Sequence, residues 1–449
     1  MPDTADHPHA APAVVTFGCR LNRAESNVMR RLAEDAGFGD AIIINTCTVT
    51  AEATRQARQT IRRAHRDHPG RPIVVTGCAA QVDAARFAAM PEVSAVWGNR
   101  EKLDPATFRA AAVARAAGRP VEPAVAVGPS AALAETAGHL IERAWRDHAA
   151  STIGEWTRAF VQIQQGCDHT CTFCIIPSAR GPNRSVDPAR IVDRVRTLVE
   201  SGFMEIVLTG VDICSYGRES AGETQGLGAL VERLLLQVPA LKRLRLSSLD
   251  PAAIDNRLIG AFADHERLMP HLHLSLQAGC DLILKRMKRR HRVADAGRVC
   301  NDVLARRPDA IIGADLIAGF PTETDAMFEE TRKTVAALGV TLLHVFPFSP
   351  RPGTPAQRMP QVAPAVARAR ASQLRADGAA RFTAYLESRI GSIAQVLIEA
   401  PGADGGVGGL CEQFVPVRLA GDAPPPPRGS VASVRITGSE AGRLVGHPA

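Results

Sequence analysis

At 449 residues the chain is long enough for about three domains of roughly 150 residues each. Its 45% hydrophobic and 22% charged content is that of ordinary globular protein, which excludes a disordered or membrane-dominated chain. Lys+Arg 53 against Asp+Glu 46 leaves +7, which favours a polyanionic partner without establishing one, because only five of those cations are lysine and genomic base composition can supply part of the arginine excess. No apolar run approaches the roughly 18 residues of a spanning helix, and residues 1–12 carry no basic stretch followed by an apolar one. A cytoplasmic protein with no membrane partner is expected, its ten cysteines reduced and better read as ligands than as disulfides.

In chain order, β-rich runs at 14–17, 42–44 and 73–76 are each followed by a loop cysteine and a helical pattern. The first helix is predicted from Asn22, as N-cap, to Gly37, the second from about Thr50 to Arg66, and the third from near Gln81. Ligand sites of open parallel sheets lie outside the carboxyl ends of the strands, so Cys19, Cys47 and Cys78 are expected to converge into a three-thiolate site. The alternative is that each is an ordinary buried cysteine. Between Arg109 and Glu155 the sequence turns Ala-rich with scattered Gly and Pro, and the inter-domain connection is expected there.

After a strand at 160–163 come three more thiols within eight residues, Cys167-Asp-His-Thr-Cys171-Thr-Phe-Cys174. A [4Fe–4S] cube normally takes four thiolates, so a loop giving three leaves one iron open. A structural zinc knot with His169 as fourth ligand is the alternative. Further strands are predicted at 206–209, 244–246, 272–276, 311–317 and 342–346, separated by helices, which gives parallel βα units closing into a full or partial barrel. Catalytic groups of such barrels sit at the carboxyl strand ends. The small and polar residues there, among them Gly210, Asp212, Ser248 and Gln277, are candidates for holding an amino acid, ribose or adenine.

A basic run follows, Lys285-Arg-Met-Lys288-Arg289-Arg290-His-Arg292, which reads either as a solvated helix surface or as a grip on a phosphate backbone. Arg180 and Arg184, shortly after the cysteine loop, are expected on the same rim. An Arg- and Ala-rich helix ends near Gly391, and runs at 393–399, 414–419, 430–437 and 443–445 predict a small β-barrel. From Arg389 onward five Arg balance five Asp or Glu, so charge does not mark that barrel as an RNA binder.

With both triads in view, the chain resembles the radical S-adenosylmethionine (SAM) methylthiotransferases. The spacing C-x3-C-x2-C with Phe173 before the last cysteine is shared with radical SAM enzymes generally. Thr16-Phe-Gly-Cys-Arg-Leu-Asn22, Asn45-Thr-Cys-Thr-Val-Thr50, Leu274-Ser-Leu-Gln277 and Phe346-Pro-Phe-Ser-Pro-Arg-Pro-Gly-Thr354 are most similar to the branch acting on N6-threonylcarbamoyladenosine of tRNA. Asp212 stands where much of the class has Asn, and Pro177-Ser-Ala-Arg-Gly181 is close to the branch that modifies an aspartate of a ribosomal protein.

The resemblance implies an α/β protein of three parts: an open parallel-sheet domain over 12–120, a radical-SAM partial barrel over 155–385, and a TRAM-like β-barrel over 389–447. It also implies two [4Fe–4S] clusters, the SAM-cleaving one on Cys167, Cys171 and Cys174 and an auxiliary one on Cys19, Cys47 and Cys78. The expected partners are tRNA carrying N6-threonylcarbamoyladenosine, a reductase or flavodoxin-type electron donor, and a sulfur donor. Phe173, Gly210, Asp212, Ser248 and Gln277 would contact SAM, and Arg180, Arg184, Lys285, Lys288, Arg289 and Arg290 the tRNA. Cys214, Cys280, Cys300 and Cys411 match no ligand motif and are assigned to packing. Methylthiolation of a ribosomal protein and a non-catalytic iron–sulfur or zinc protein that binds RNA stay open as alternatives.

Overall fold

The computed structural model describes residues 13–121, 125–127, 157–218, 226–402, 406–421 and 424–449. They divide into two compact units, one within residues 1–148, 165–169 and 174–184, the other within 149–164, 170–173 and 185–449.

The first unit is built on five parallel strands in sequential order: β1 (Ala13–Thr16), β2 (Ile42–Thr46), β3 (Ile73–Gly77), β4 (Ala95–Trp97) and β5 (Val125–Ala126). Ile43, Val74, Ala95 and Trp97 pack with Met29, Leu32 and Phe108 from helices Arg20–Asp35 and Pro105–Ala116. Ile42, Ile44, Ile73 and Val75 pack with Ile61 of helix Ala51–Asp67 and with Phe87. With both faces covered, a strand reads as an unbroken apolar run, which is why β2 and β3 are legible in the sequence. β4 and β5, three and two residues long, are too short to show a period. The connection expected between Arg109 and Glu155 is in part this same domain, since helix Pro105–Ala116 and β5 fall inside it; residues 128–156 lie outside the described residues. Asn22 is not the N-cap of the first helix. Cys19 holds that position, and the Asn22 amide donates instead to Phe17 O at 2.8 Å and Thr46 O at 3.0 Å.

In the second unit β6 (Arg158–Gln162) leads to the cysteine loop, which β7 (Gln164–Gln165) and β8 (Arg184–Ser185) bracket in sequence. β9 (Glu205–Thr209) lies between β6 and β10 (Arg243–Leu246), and β11 (His271–Gln277), β12 (Ile311–Ala318) and β13 (Val340–Pro347) form a second parallel set. Parallel bridges from Leu244 to Leu268 and from Leu249 to Leu274 join the two sets into six strands of a partial barrel. Helix Pro364–Ser388 then leads to a closed barrel of β14 (Ile393–Ile398), β15 (Gly408–Leu410), β16 (Pro416–Leu419), β17 (Val431–Glu440) and β18 (Arg443–Pro448). β15, unread in the sequence, is Gly-Gly-Leu. A Cβ on Gly408 or Gly409 would collide with the carbonyls of Val417 or Leu397, so only glycine lets the strand close the barrel.

The small barrel caps the amino ends of the large one. Arg158, Glu205, Arg243 and His271 are each the first residue of their strand, and the turn after β15 is inserted among them. Arg243 donates to Cys411 O at 2.9 Å and Arg245 to Glu412 O at 3.0 Å. Phe414, held at φ +67°, stacks on His271 at 5.1 Å and lies under the guanidinium groups of Arg158 and Arg245. Burial pushes the Glu205 carboxyl up, but Arg245 and Arg243 outweigh it and hold the value at about 2. With that end plugged, the barrel is open for chemistry at its carboxyl strand ends.

Candidate active site

At the carboxyl edge of the first unit, β1, β2 and β3 lie side by side and the chain leaves each through a cysteine. Gly18 and Gly77, both at φ +94°, turn the backbone directly before Cys19 and Cys78, a conformation open to glycine and costly to other residues. Gly166, at φ +75°, does the same before Cys167. A Cβ on Gly18 would stand 2.7 Å from Cys47 Sγ, so the first two loops touch. Cys19 is exposed, Cys47 and Cys78 are buried, and none of the ten cysteines forms a disulfide. Burial pushes the Cys47 thiol up to about 12; the Val49 N–H opposes this, while negative charge on Cys78 and Cys19 adds to it. Three converging sulfurs of this kind fit a thiolate-ligated metal centre.

Behind Cys78 lies a buried charge group. Arg180 donates through Nε to Cys78 Sγ at 3.1 Å, through Nη2 to Asn22 Oδ1 at 2.6 Å, and through both terminal nitrogens to Glu25. Lys102 Nζ reaches the same carboxylate at 2.6 Å. The exposures are 1% for Arg180, 2% for Glu25 and 0% for Lys102. Burial works against all three charges, yet Arg180 is raised well above the ordinary value by negative charge on Cys78 and then by Glu25, and Glu25 is lowered by Arg180 and Lys102; Lys102 is lowered, burial outweighing Glu25. Arg180 is thus not the rim contact expected from the sequence: it has no surface to offer a phosphate, and its donors are committed.

In the second unit the candidate cofactor residues gather at the carboxyl strand ends. Gln164 Oε1 accepts the N–H groups of Val211 and Asp212 at 2.9 and 2.8 Å, and a Cβ on Gly210 would press on Gln164 O at 2.8 Å. This fixes the loop in which Asp212 accepts from Ser215 Oγ at 2.6 Å. Ser248 donates to Asp315 Oδ2 at 3.4 Å, and Asp315 Oδ1 lies 3.1 Å from His273 and 3.3 Å from His344, on adjacent strands. Gln277 ends β11 at φ +68°, a strained non-glycine conformation of the kind that clusters at functional sites. Phe173 packs edge-on to Phe320 at 6.5 Å, within the apolar group of Ile283, Leu284 and Met287. The His273–Asp315–His344 group goes unread in the sequence, although the alternation His271-x-His273-x-Ser275-x-Gln277 places four polar residues on one face of a single strand.

The basic run divides. Lys285, Lys288 and Arg290 are exposed. Arg289 is not, with a side chain only 8% exposed. It pairs with Asp250 at 3.3 Å, donates to Ser275 O at 2.9 Å and faces Cys171 Sγ at 3.7 Å. Like Arg180, it is withdrawn from the expected phosphate contacts. Arg184 directs Nη1 to Pro182 O at 3.1 Å and Nη2 to Arg180 O at 3.4 Å. Cys214, Cys280, Cys300 and Cys411 are buried.

The sequence matches the Radical SAM superfamily over residues 161–335 and the Uncharacterized protein family UPF0004 over residues 12–98. A threonylcarbamoyladenosine tRNA methylthiotransferase of Rickettsia prowazekii is 44% identical over 406 residues, 90% of each chain. The chain belongs to the radical SAM methylthiotransferases. A tRNA-2-methylthio-N(6)-dimethylallyladenosine synthase of Paracoccus denitrificans, also in this family, is 34% identical over 99% of each chain. The fold is that of the radical SAM methyltransferase TsrM from Kitasatospora setae, whose structure aligns with a TM-score of 0.51 at 15% identity over 75% of this chain and 69% of that one. As a radical SAM methylthiotransferase the chain is an enzyme that works with SAM and [4Fe–4S] chemistry. Among the described residues no helix is long and apolar enough to cross a membrane.

Proposed function

We propose that this methylthiotransferase places a methylthio group on C2 of N6-threonylcarbamoyladenosine at position 37 of tRNA. The observation that carries it is the second thiol site, Cys19, Cys47 and Cys78 on three neighbouring strand ends, which radical formation alone does not require. The Rickettsia prowazekii, Aquifex aeolicus and Bacillus subtilis relatives, at 44%, 34% and 34% identity, are named for the same substrate. In this reading Cys167, Cys171 and Cys174 hold the SAM-cleaving cluster, and Cys19, Cys47 and Cys78 an auxiliary one, each with one iron left for a small ligand. The clusters and SAM supply the radical and the methyl group; a ring C–H that is neither acidic nor hydridic calls for such a route.

The chain's own residues bind and orient. Gln164 holds the Val211–Asp212 backbone, so that Gly210, Asp212, Ser248 and Gln277 line the carboxyl strand ends where SAM would lie. Phe173, packed on Phe320, stiffens the cysteine loop. Lys285 and Lys288 are exposed and can meet phosphates, Arg290 is exposed but already paired with Asp250 at 3.2 Å, and Arg184 serves to order backbone. The first domain extends through β5, beyond the limit of 120 expected from the sequence, and is followed by a radical-SAM domain over 155–385 and a TRAM-like barrel over 389–447. The enzyme acts in the cytoplasm with a reductase or flavodoxin-type electron donor and a separate sulfur donor. Nucleoside mass spectrometry of tRNA from a strain lacking the gene tests the assignment. 2-Methylthio-N6-threonylcarbamoyladenosine should vanish while its unthiolated precursor accumulates. Unchanged tRNA nucleosides with loss of a methylthio group from a ribosomal protein would assign the other branch.

A further inference from the structure

We propose that Arg180 is a positioning residue of the auxiliary centre, which hydrogen-bonds the Cys78 sulfur and balances the charge of the cluster held there. The proposal rests on the reading of Cys19, Cys47 and Cys78 as cluster ligands. Its starting point is a mismatch. Arg180 and Lys102 place two positive charges on the single carboxylate of Glu25, all three essentially out of water. An uncompensated buried charge is strongly destabilising, as when one partner of a buried pair is removed. One negative charge is therefore owed to this group, and the next atom along is Cys78 Sγ, 3.1 Å from Arg180 Nε.

An oxidised [4Fe–4S] core with three thiolates carries one net negative charge, which matches the excess. Hydrogen bonds to cluster sulfurs and nearby charge are the means by which a protein sets the potential of such a centre, so a donor aimed at a ligand sulfur in a dry pocket favours the reduced state. The geometry around Arg180 is also fixed from every side. Asn22, at the start of the Cys19 helix, accepts from Nη2 and bonds the backbone on either side of the site, at Phe17 and Thr46. Asn99 Nδ2 donates to Ala179 O at 2.7 Å, holding the helix Ile176–Arg180 that carries the arginine. That helix starts just past Cys174, so the segment leaving the SAM-cleaving cysteines ends on a ligand of the other centre.

The test uses the full chain with Cys167, Cys171 and Cys174 all changed to alanine, so that only the auxiliary cluster assembles, and reads its midpoint potential by electron paramagnetic resonance during redox titration. Arg180→Lys, which keeps the charge and loses the fork, should move the potential to more negative values, and Arg180→Gln further in the same direction. Glu25→Gln, which leaves Arg180 in place and removes a negative charge, should move it the opposite way. A purely structural role would not produce shifts of opposite sign. Should the Arg180 variants lose their iron, the upward shift of Glu25→Gln carries the test alone. Unshifted potentials at full iron content, or shifts of one sign in all three variants, would overturn the proposal while leaving the cluster assignment intact. A triple-alanine parent that binds no iron would instead remove the auxiliary-site reading itself.

Discussion

Glu25 with Arg180 and Lys102 in one unit, and Glu205 with Arg243 and Arg245 in the other, are both built as two cations on one buried carboxylate. Their spare positive charge goes to different places. Around Glu205 it is absorbed by the protein itself, through the carbonyls of Cys411 and Glu412 and the ring of Phe414, which pin the small barrel to the amino ends of the large one. Around Glu25 it faces a thiol at the carboxyl edge of a sheet. The same charge motif is thus closed on carbonyls and a ring in one unit and open towards a thiol in the other.

The difference can be broken by removing each carboxylate. Glu205→Gln strands two buried arginines and should cost about 3–5 kcal/mol in chemical denaturation of the full chain, equally with and without bound iron. On the proposed reading, in which a cluster held at Cys78 supplies the missing negative charge, Glu25→Gln should cost a similar amount in the iron-free chain but clearly less in the reconstituted one. Equal losses in both states would mean that the Glu25 group is as self-contained as the other.

Acid sharpens the same contrast. Glu205 has an ordinary value of 4.5 and a folded value of about 2, so its contribution is present above about pH 4.5 and is lost as the pH falls towards 2. The shift corresponds to roughly 3 kcal/mol. Stability measured between pH 6 and pH 3 should fall less steeply in Glu205→Gln than in the wild type.

Phe414 probes the architectural side alone. Its ring is the contact with His271 and the seat of two guanidinium groups, and Phe414→Ala should cost about 2 kcal/mol. Because the residue sits at φ +67°, Phe414→Gly should be less damaging than the alanine variant by about 1 kcal/mol, the reverse of the usual order. The smallest effect belongs to the surface. Lys285→Ser with Lys288→Ser should leave stability unchanged and lower the slope of log K against log salt for tRNA binding by roughly 0.9 for each phosphate no longer neutralised.

Much of this architecture is legible in the sequence. β9 shows as an apolar run and β10 and β11 as alternations of leucine with polar residues, and the strand-end cysteines show because a thiol in the same slot of three successive units is improbable by chance. The misreadings have a common cause. Arg180 and Arg289 look like surface cations in the sequence, which carries no sign of the acidic partners, Glu25 and Asp250, that lie far away in the chain and draw them inside. β4, β5 and β15 are too short for a period, and β15 is made of the glycines that usually mark turns. His273, Asp315 and His344 belong to three strands whose register only the fold supplies.

The central claim is that two thiol triads perform separate tasks in one methylthio transfer. Cys171→Ala should abolish every product, since the SAM-cleaving centre loses a ligand. The decisive variant is Cys47→Ala, which touches only the strand-end site of the first unit. Incubated with reductant, SAM and tRNA bearing N6-threonylcarbamoyladenosine, it should still release 5′-deoxyadenosine while forming no 2-methylthio product. Methylthiolation by Cys47→Ala at the wild-type rate would contradict the account, because the second triad would then have no part in the reaction.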